Sequence, residues 1–356
     1  MATSYFTIGV MSGTSLDGID LAYAKFTKDG QWQYEIVVAE TLQYEAAWQE
    51  RLKNGIALPT EALQELDQEY TSYLAEVIKQ FIKKNQISEL DAVCSHGHTI
   101  LHDPAAGVTY QIGNRPELAT LVGQRVICDF RVKDVKLGGQ GAPLVPIGDR
   151  LLFGNYDFCL NLGGFANISF EKNDHRIAFD ICPVNIVLNA QAVKLGLPYD
   201  AEGKIAATRA VDVQLLEKLE ALPFYEKLPP KSLGLEWVKN EVDPLLEAET
   251  LSPETIISTF TEHAAIQVAK VLRDQSGISQ KHLLITGGGA YNKHLLGRIL
   301  KLSKVAVIVP DEDLIEFKEA LIFAFMGVLR LRNQVNVLKS VTGAAQDHCS
   351  GTILNP

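Results

Sequence analysis

Apolar and polar positions along the chain fall into blocks, and the period of each block predicts its element. Residues 7–11 are apolar and β-prone, residues 12–18 are small and polar, and residues 19–26 are apolar again, which reads as strand, tight loop, strand. A third strand follows at 34–42. From 60 to 84 the period changes. Leu63, Leu66, Tyr70, Tyr73, Leu74, Val77, Ile78 and Phe81 recur every three or four residues, the spacing of a helix that lies against a sheet. Short buried strands are expected at 90–95 and 125–130. The Gly/Pro-rich segment KLGGQGAPLVP (136–146) then reads as a crossing between lobes.

Beyond that segment the opening pattern recurs: a strand at 157–162, a small-residue loop at 163–167, and strands at 168–170 and 176–181. Helices are predicted at 185–195, 207–222 and 253–274, the last begun by Ser252 as cap, Pro253 in the first turn and Glu254 at the positive dipole end. A strand at 282–286 leads through Gly287-Gly288-Gly289 into a helix ending near 300. A strand at 305–309 and a long helix at 317–332 close the series. Two lobes that each begin with a hairpin around a small-residue loop suggest an internal duplication, with lobes at 1–145 and 146–340 and a tail, 341–356, that returns to the first lobe.

Composition narrows the class. The chain has 356 residues, about two domains' worth, and its 47% apolar content excludes disorder, collagen and coiled coil. With 33 Lys+Arg against 43 Asp+Glu, a net charge of −10, it lacks the basic footprint of a nucleic-acid binder. No leader-like start and no long uncharged apolar window are seen, so a cytoplasmic protein without a membrane partner is expected. Five widely spaced cysteines without a C-x-x-C pair are expected to be reduced and mostly buried.

Three loops could carry chemistry. In Ser12-Gly13-Thr14-Ser15-Leu16-Asp17-Gly18, glycines let backbone N–H groups converge on a phosphate, hydroxyls add donors, and Asp17 could hold a hydrated Mg²⁺; a plain hairpin turn is the alternative. The loop from Asn161 through Gly163 and Gly164 to Asn167 would be its counterpart. Gly287 to Gly289, followed by Asn292, could accept a flat nucleoside against bare backbone near a helix N-terminus, or be a tight strand-to-helix turn. The sequences G-x-x-x-x-G-K-[ST] and G-x-G-x-x-G are absent, which disfavours the usual P-loop and a dinucleotide fold.

Among carboxylates, Asp180 stands at the end of an apolar strand, where α/β sheets bind ligands, and suits a general base; capping of the next turn is the alternative. Arg131 could grip a substrate carboxylate or sugar hydroxyls, or form an ion pair with Asp134. His96, His98 and His102 read as hydrogen-bonding groups rather than as a metal cluster.

The block IGVMSGTSLDGID (8–20) closely resembles the signature of the anhydro-N-acetylmuramic acid kinases, members of the actin/hexokinase/Hsp70-like superfamily. Nine further blocks match in order: SHGHTI (95–100), YQIGN (110–114), DFR (129–131), GGQGAPLVP (138–146), NLGGFANIS (161–169), FD-x-x-P-x-N (179–185), TGGGAYN (286–292), KEALIFAFMG (318–327) and SVTGA (340–344). The resemblance spans the whole chain. It implies an α/β, two-lobe, ribonuclease H-like duplicated fold with ATP in an interlobe cleft. It also implies phosphorylation of 1,6-anhydro-N-acetylmuramic acid with ring opening by water, to N-acetylmuramic acid 6-phosphate in cell-wall recycling. By the same resemblance Gly13 to Asp20 would bind the ATP phosphates with Asp17 near Mg²⁺, and Gly163 and Gly164 would form the second phosphate loop. Gly287, Gly288, Gly289 and Asn292 would take the nucleoside, and Asp180 would accept the proton of the attacking water. His96, Gln111, Arg131 and Asn185 are the candidates for the amino-sugar substrate; whether the chain forms a homodimer is left open.

The chain departs from the family at three places. Asp180-Ile181-Cys182-Pro183-Val184-Asn185 stands for D-T-G-P-G-N, so two small positions are filled, which could narrow the sugar pocket. His98 stands for a glutamine and adds a pH-dependent charge, and Asn114 stands where an aspartate is frequent. Two other readings therefore remain beside the hydrolytic kinase: an ATP-binding module without turnover, and a kinase for a different sugar.

Overall fold

The computed structural model describes residues 3–13, 16–248, 250–275 and 281–356. Among these, the strands are β1 (Thr3–Ser12), β2 (Gly18–Asp29), β3 (Gln31–Gln43), β4 (Ala92–Asp103), β5 (Val108–Ile112) and β6 (Val126–Cys128). They continue with β7 (Phe158–Leu162), β8 (Phe165–Lys172), β9 (His175–Pro183), β10 (His282–Thr286), β11 (Ala306–Ile308) and β12 (Thr352–Leu354). The chain divides into two compact units, 1–152 with 317–356, and 153–316.

The first unit carries a mixed sheet in the order β12-β6-β4-β1-β2-β3, with β5 paired to β4. β1 runs antiparallel to β2 and parallel to β4. The helix Thr60–Lys84 buries Leu63, Leu66, Tyr70, Leu74, Val77, Ile78 and Phe81, in one core with Ile8, Val10, Ile19, Leu21 and Val93 of the sheet. Each such side chain removed from water contributes about 2 kcal/mol, so the apolar stripe fixes the helix where its propensity alone would not.

The second unit's sheet runs β11-β10-β7-β8-β9, with β7, β10 and β11 parallel and β8 and β9 antiparallel additions. The order β3-β2-β1-β4-β6 of the first sheet and the order β9-β8-β7-β10-β11 of the second are one topology used twice, which makes the duplication visible. The helices Asn185–Val193 and Pro253–Gln275 contribute Val187, Leu188, Phe260, Ala264 and Val268 to its core. Ser252 Oγ accepts the Thr255 N–H, the expected cap.

Several elements differ from the sequence reading. The units meet in sequence at 152/153 and 316/317, where the sequence reading set 145 and 340. The final long helix is Glu312–Leu331, started five residues early because Asp311 Oδ1 accepts the Leu314 N–H. The expected helix 207–222 is two pieces, Lys204–Thr208 and Val213–Glu220, because Asp212 caps the second through the Leu215 N–H. β4 runs well past Ser95, and β5, whose Val108, Tyr110 and Ile112 alternate with Thr109 and Gln111, is a strand that the sequence reading did not name. β12 pairs antiparallel with β6, so the tail completes the first sheet.

Candidate functional site

In the first unit β1 ends at Ser12, whose Oγ lies 2.8 Å from His98 Nδ1 and 2.7 Å from Tyr44 Oη. Tyr44 Oη in turn meets Tyr70 Oη. A bulge in the β1–β4 pairing brings His98 opposite Ser12; Gly97, at φ +73°, makes it, and a Cβ there would fall 2.6 Å from Ile112 O. Ser12 is thus tied to the neighbouring strand through His98 and to the helix Thr60–Lys84 through Tyr44 and Tyr70. Burial lowers the His98 pKa to about 4, so the expected charge is not carried at neutral pH.

Thr14 and Ser15, two of the expected phosphate ligands, lie outside the described residues. Around them, Leu16 adopts φ +62° and donates its N–H to Gly13 O at 3.3 Å. Asp17 is exposed; its carbonyl is held by Tyr44 N–H and its side chain points no hydrogen bond into the described residues. Gly18 is compact by necessity, since a Cβ would fall 2.4 Å from Leu42 O. Asp20 accepts from Thr41 Oγ1 at 2.6 Å.

His96 and Arg131 form a second cluster in this unit. Arg131 Nε donates to His96 Nε2 at 2.8 Å and Nη1 donates to Gly141 O at 2.6 Å, which leaves the His96 Nδ1–H to donate to Gly97 O. Burial, with Arg131 beside it, holds the His96 pKa well below its ordinary value, and burial lowers Arg131 to about 10. Asp134 does not pair with Arg131 directly. Its Oδ2 accepts the Gly141 N–H at 2.7 Å and its Oδ1 the Thr342 hydroxyl at 2.7 Å, so it fixes the turn on which Arg131 rests. Gln111 Nε2 donates to Thr109 Oγ1, while its buried Oε1 has no hydrogen-bond partner among the described residues. Asn114 donates to His96 O and accepts from Ser95 Oγ. An aspartate could not make the first of these bonds. Glu319 was missed as a site residue although it stands in the matched KEALIFAFMG block. Although the residue reaches the surface, loss of hydration among its neighbours raises its carboxyl, Arg131 acts against that, and Asp20 adds to it.

The second unit brings most of its expected residues together at the C-terminal ends of the parallel strands. Asn161 on β7 pairs in register with Thr286 on β10, and Gly287, at φ +79°, packs so tightly that a Cβ would fall 2.4 Å from Asn161 Oδ1. Gly289 likewise abuts Leu162, and Asn185 Nδ2 donates to Leu162 O at 3.1 Å beside it. Asn185 therefore ties the two glycine turns to each other. The carbonyls of Gly163 and Gly164 accept the N–H groups of Val184, Asn185 and Ile186 at the start of the next helix. Among the described residues, the N–H groups of Gly163, Gly164 and Gly288 donate to nothing, which suits an anion. Asn292 Oδ1 accepts the Leu295 N–H and caps the helix Lys293–Ser303.

Asp180 lies on edge strand β9, opposite Asn167. Ile181 is an extra residue there, since Cys182 pairs with Ala166. The bulge reverses the alternation, putting Asp180 on the open face with exposed Asn167 and Cys182 on the buried face with Ala166. Ile181, Cys182 and Val184, the family departures, are 1%, 0% and 0% exposed in the core, so their bulk goes into packing. Burial raises the Asp180 carboxyl, and a hydrogen bond from the Leu233 N–H to Oδ2, 2.9 Å, acts against the rise. Residues 231 and 233, which no motif marked, are thus direct partners of Asp180.

A sequence profile described as anhydro-N-acetylmuramic acid kinase matches residues 5–356. A protein of that name from Pseudomonas syringae pv. tomato is 34% identical over 372 residues, covering 98% of this chain and 99% of its own. One from Xanthomonas oryzae pv. oryzae is 35% identical over 375 residues (98% and 97%), and one from Haemophilus influenzae 32% over 380 residues (99% and 98%). Matched by that profile from residue 5 to 356 and by relatives 32–35% identical over nearly its whole length, this chain belongs to the anhydro-N-acetylmuramic acid kinase family.

Proposed function

We propose that this chain is a cytoplasmic kinase that opens 1,6-anhydro-N-acetylmuramic acid with water and phosphorylates it from ATP. The observation that carries the reading is Asp180, a half-buried carboxylate with one oxygen held and the other, Oδ1, accepting no hydrogen bond among the described residues. In the reaction a water oxygen bonds the anomeric carbon while Asp180 takes its proton. The bond from that carbon to the bridging oxygen breaks, and the oxygen attacks the γ-phosphorus as ADP leaves. Burial raises the Asp180 carboxyl, the direction that strengthens it as a base. The unengaged N–H groups of Gly163, Gly164 and Gly288 support the binding of phosphate oxygens.

A magnesium ion would be held through water by Asp17, whose exposed carboxylate sits on a turn anchored by Tyr44; hard cations keep much of their water beside substrate phosphates, so one carboxylate fits. When bound it would neutralise the phosphates. Arg131, oriented by His96 and Gly141, is assigned to the substrate's carboxylate. The test is ADP release with Mg²⁺-ATP and the anhydro sugar in ¹⁸O-labelled water. One label in a ring-opened sugar phosphate supports the reading. A phosphorylated product without label would turn it into an ordinary hydroxyl kinase, and ATP binding without any product would turn it into a module without turnover.

A further inference from the structure

We propose that residues 228–233 form a positioning strap for Asp180, with the Leu233 main-chain N–H fixing Oδ2 so that Oδ1 alone meets the proton. The proposal rests on the reading of Asp180 as the base. β9 is an edge strand, so the main chain at Asp180 has no further strand to pair with. The strap supplies that pairing: the Asp180 N–H donates to Lys231 O at 3.1 Å, and two residues on, the Leu233 N–H donates to the carboxylate at 2.9 Å. One short segment thus holds both the backbone and the side chain of the same aspartate.

The strap is no core element. Leu228 is 86% exposed and residues 229, 230 and 232 are exposed, while Lys231 and Leu233, the two that reach Asp180, are half-buried. Its two ends are nevertheless pinned. On the N-terminal side, Lys231 Nζ donates to Phe224 O at 3.3 Å and lies 4.6 Å from the centre of the Phe224 ring. On the C-terminal side, Trp237 packs 5.3 Å from Phe224 and 6.2 Å from Tyr225. Tyr225 is itself locked, since its hydroxyl lies 2.8 Å from Nε2 of fully buried His263, whose Nδ1 meets Glu220 at 2.5 Å. Exposed residues ordered by such anchors, with one bond to the main chain and one to the carboxylate of the same aspartate, set the direction of that carboxylate more than they fill space.

A hydrogen bond to an ionised carboxylate favours the ionised form. Its loss therefore moves the acid limb of the rate profile to higher pH, because less base is ionised at a given acid pH. Backbone ester substitution at Leu233, by incorporation of leucic acid, replaces the N–H by an oxygen while keeping every side chain, and it also weakens the Ser232 carbonyl as an acceptor; the same ester at exposed Leu228 controls for that general effect. At pH 5 turnover by the Leu233 ester is expected to fall about tenfold, a typical yield of one hydrogen bond to a charged group, with the ATP KM unchanged and the loss partly recovered at pH 8. The Asp180 carboxyl, followed by ¹³C NMR without substrate, should titrate at higher pH. An unchanged rate profile and an unchanged titration would overturn the strap while Asp180→Asn is inactive. Should Asp180→Asn itself keep full activity, the base assignment falls instead, and the two failures are told apart.

Discussion

Asp134 in the first unit and Asp180 in the second are both drawn into the protein, and their surroundings use them in opposite ways. Asp134 is fully buried with both oxygens engaged, Oδ1 by the Thr342 hydroxyl and Oδ2 by the Gly141 N–H, and His348 Nε2 stands 3.6 Å away. Asp180 has one oxygen engaged, by Leu233, and the other open. The comparison teaches that a buried carboxylate becomes reactive through spare accepting capacity. A fully satisfied one holds loops together, as Asp134 holds the 138–141 turn to the C-terminal segment.

The largest expected effect tests the reactive half of that contrast. Asp180→Asn should lower turnover by about 10² to 10⁴, the usual contribution of a general base, with ATP affinity unchanged in a nucleotide titration. Its stability should hold or rise. A carboxyl whose folded pKa is raised above its unfolded value opposes folding once it ionises, and the amide removes that cost. Asp134→Ala should invert the pattern: it strands the buried Gly141 N–H and leaves the Thr342 hydroxyl only its longer bond to Leu338 O, costs about 3 kcal/mol of stability, and is read as a lower midpoint in urea unfolding. If Asp134→Ala were as stable as the parent, or Asp180→Asn much less stable, the division between structural and reactive carboxylates would be wrong.

How far this contrast was legible in the sequence depends on range. Asp180 could be found because it closes an apolar strand, and the glycine turns because three small residues follow a strand; both signals are local. Asp134 was read with its sequence neighbour Arg131, whereas its partners are Gly141 and Thr342, the latter 208 residues away. The departures at Ile181, Cys182 and Val184 looked like obstacles beside the base, because alternation places residues 180 and 182 on one face. The bulge at Ile181 overturns that, and no pattern of residue types announces a bulge. Leu233 acts through its main chain, so its side chain carries no trace of the role. The duplication, by contrast, survives because it resides in the order of strands.

His98 sharpens the comparison from the first unit. Its folded pKa of about 4 lies below the ordinary value of 6.5, so between these pH values the unfolded chain binds the extra proton. Stability is therefore fully present above about pH 6.5 and falls as pH drops toward 4, on the order of 3 kcal/mol in all for this residue. His98→Gln can keep the bond to Ser12 and cannot titrate. Thermal melts at pH 7 and pH 4.5 should differ less for this variant than for the parent. Equal differences would mean that His98 already carries its charge at acid pH in the folded protein.

The smallest expected effect returns to the strap. Lys231→Met keeps the aliphatic stem and the main-chain carbonyl that receives the Asp180 N–H, and it removes the bond to Phe224 O and the cation over the Phe224 ring. Turnover should fall about threefold, an exposed cation–π anchor being worth roughly 0.5–1 kcal/mol, with the ATP KM unmoved. Burial also lowers the Lys231 pKa, so the parent loses this anchor at a lower pH than an ordinary lysine would allow. The parent rate should therefore show an alkaline step that Lys231→Met lacks, the two converging at high pH. Were the two profiles parallel throughout, the anchor would act by bulk rather than charge, and the strap would be held in place by Trp237 and the ring beneath it.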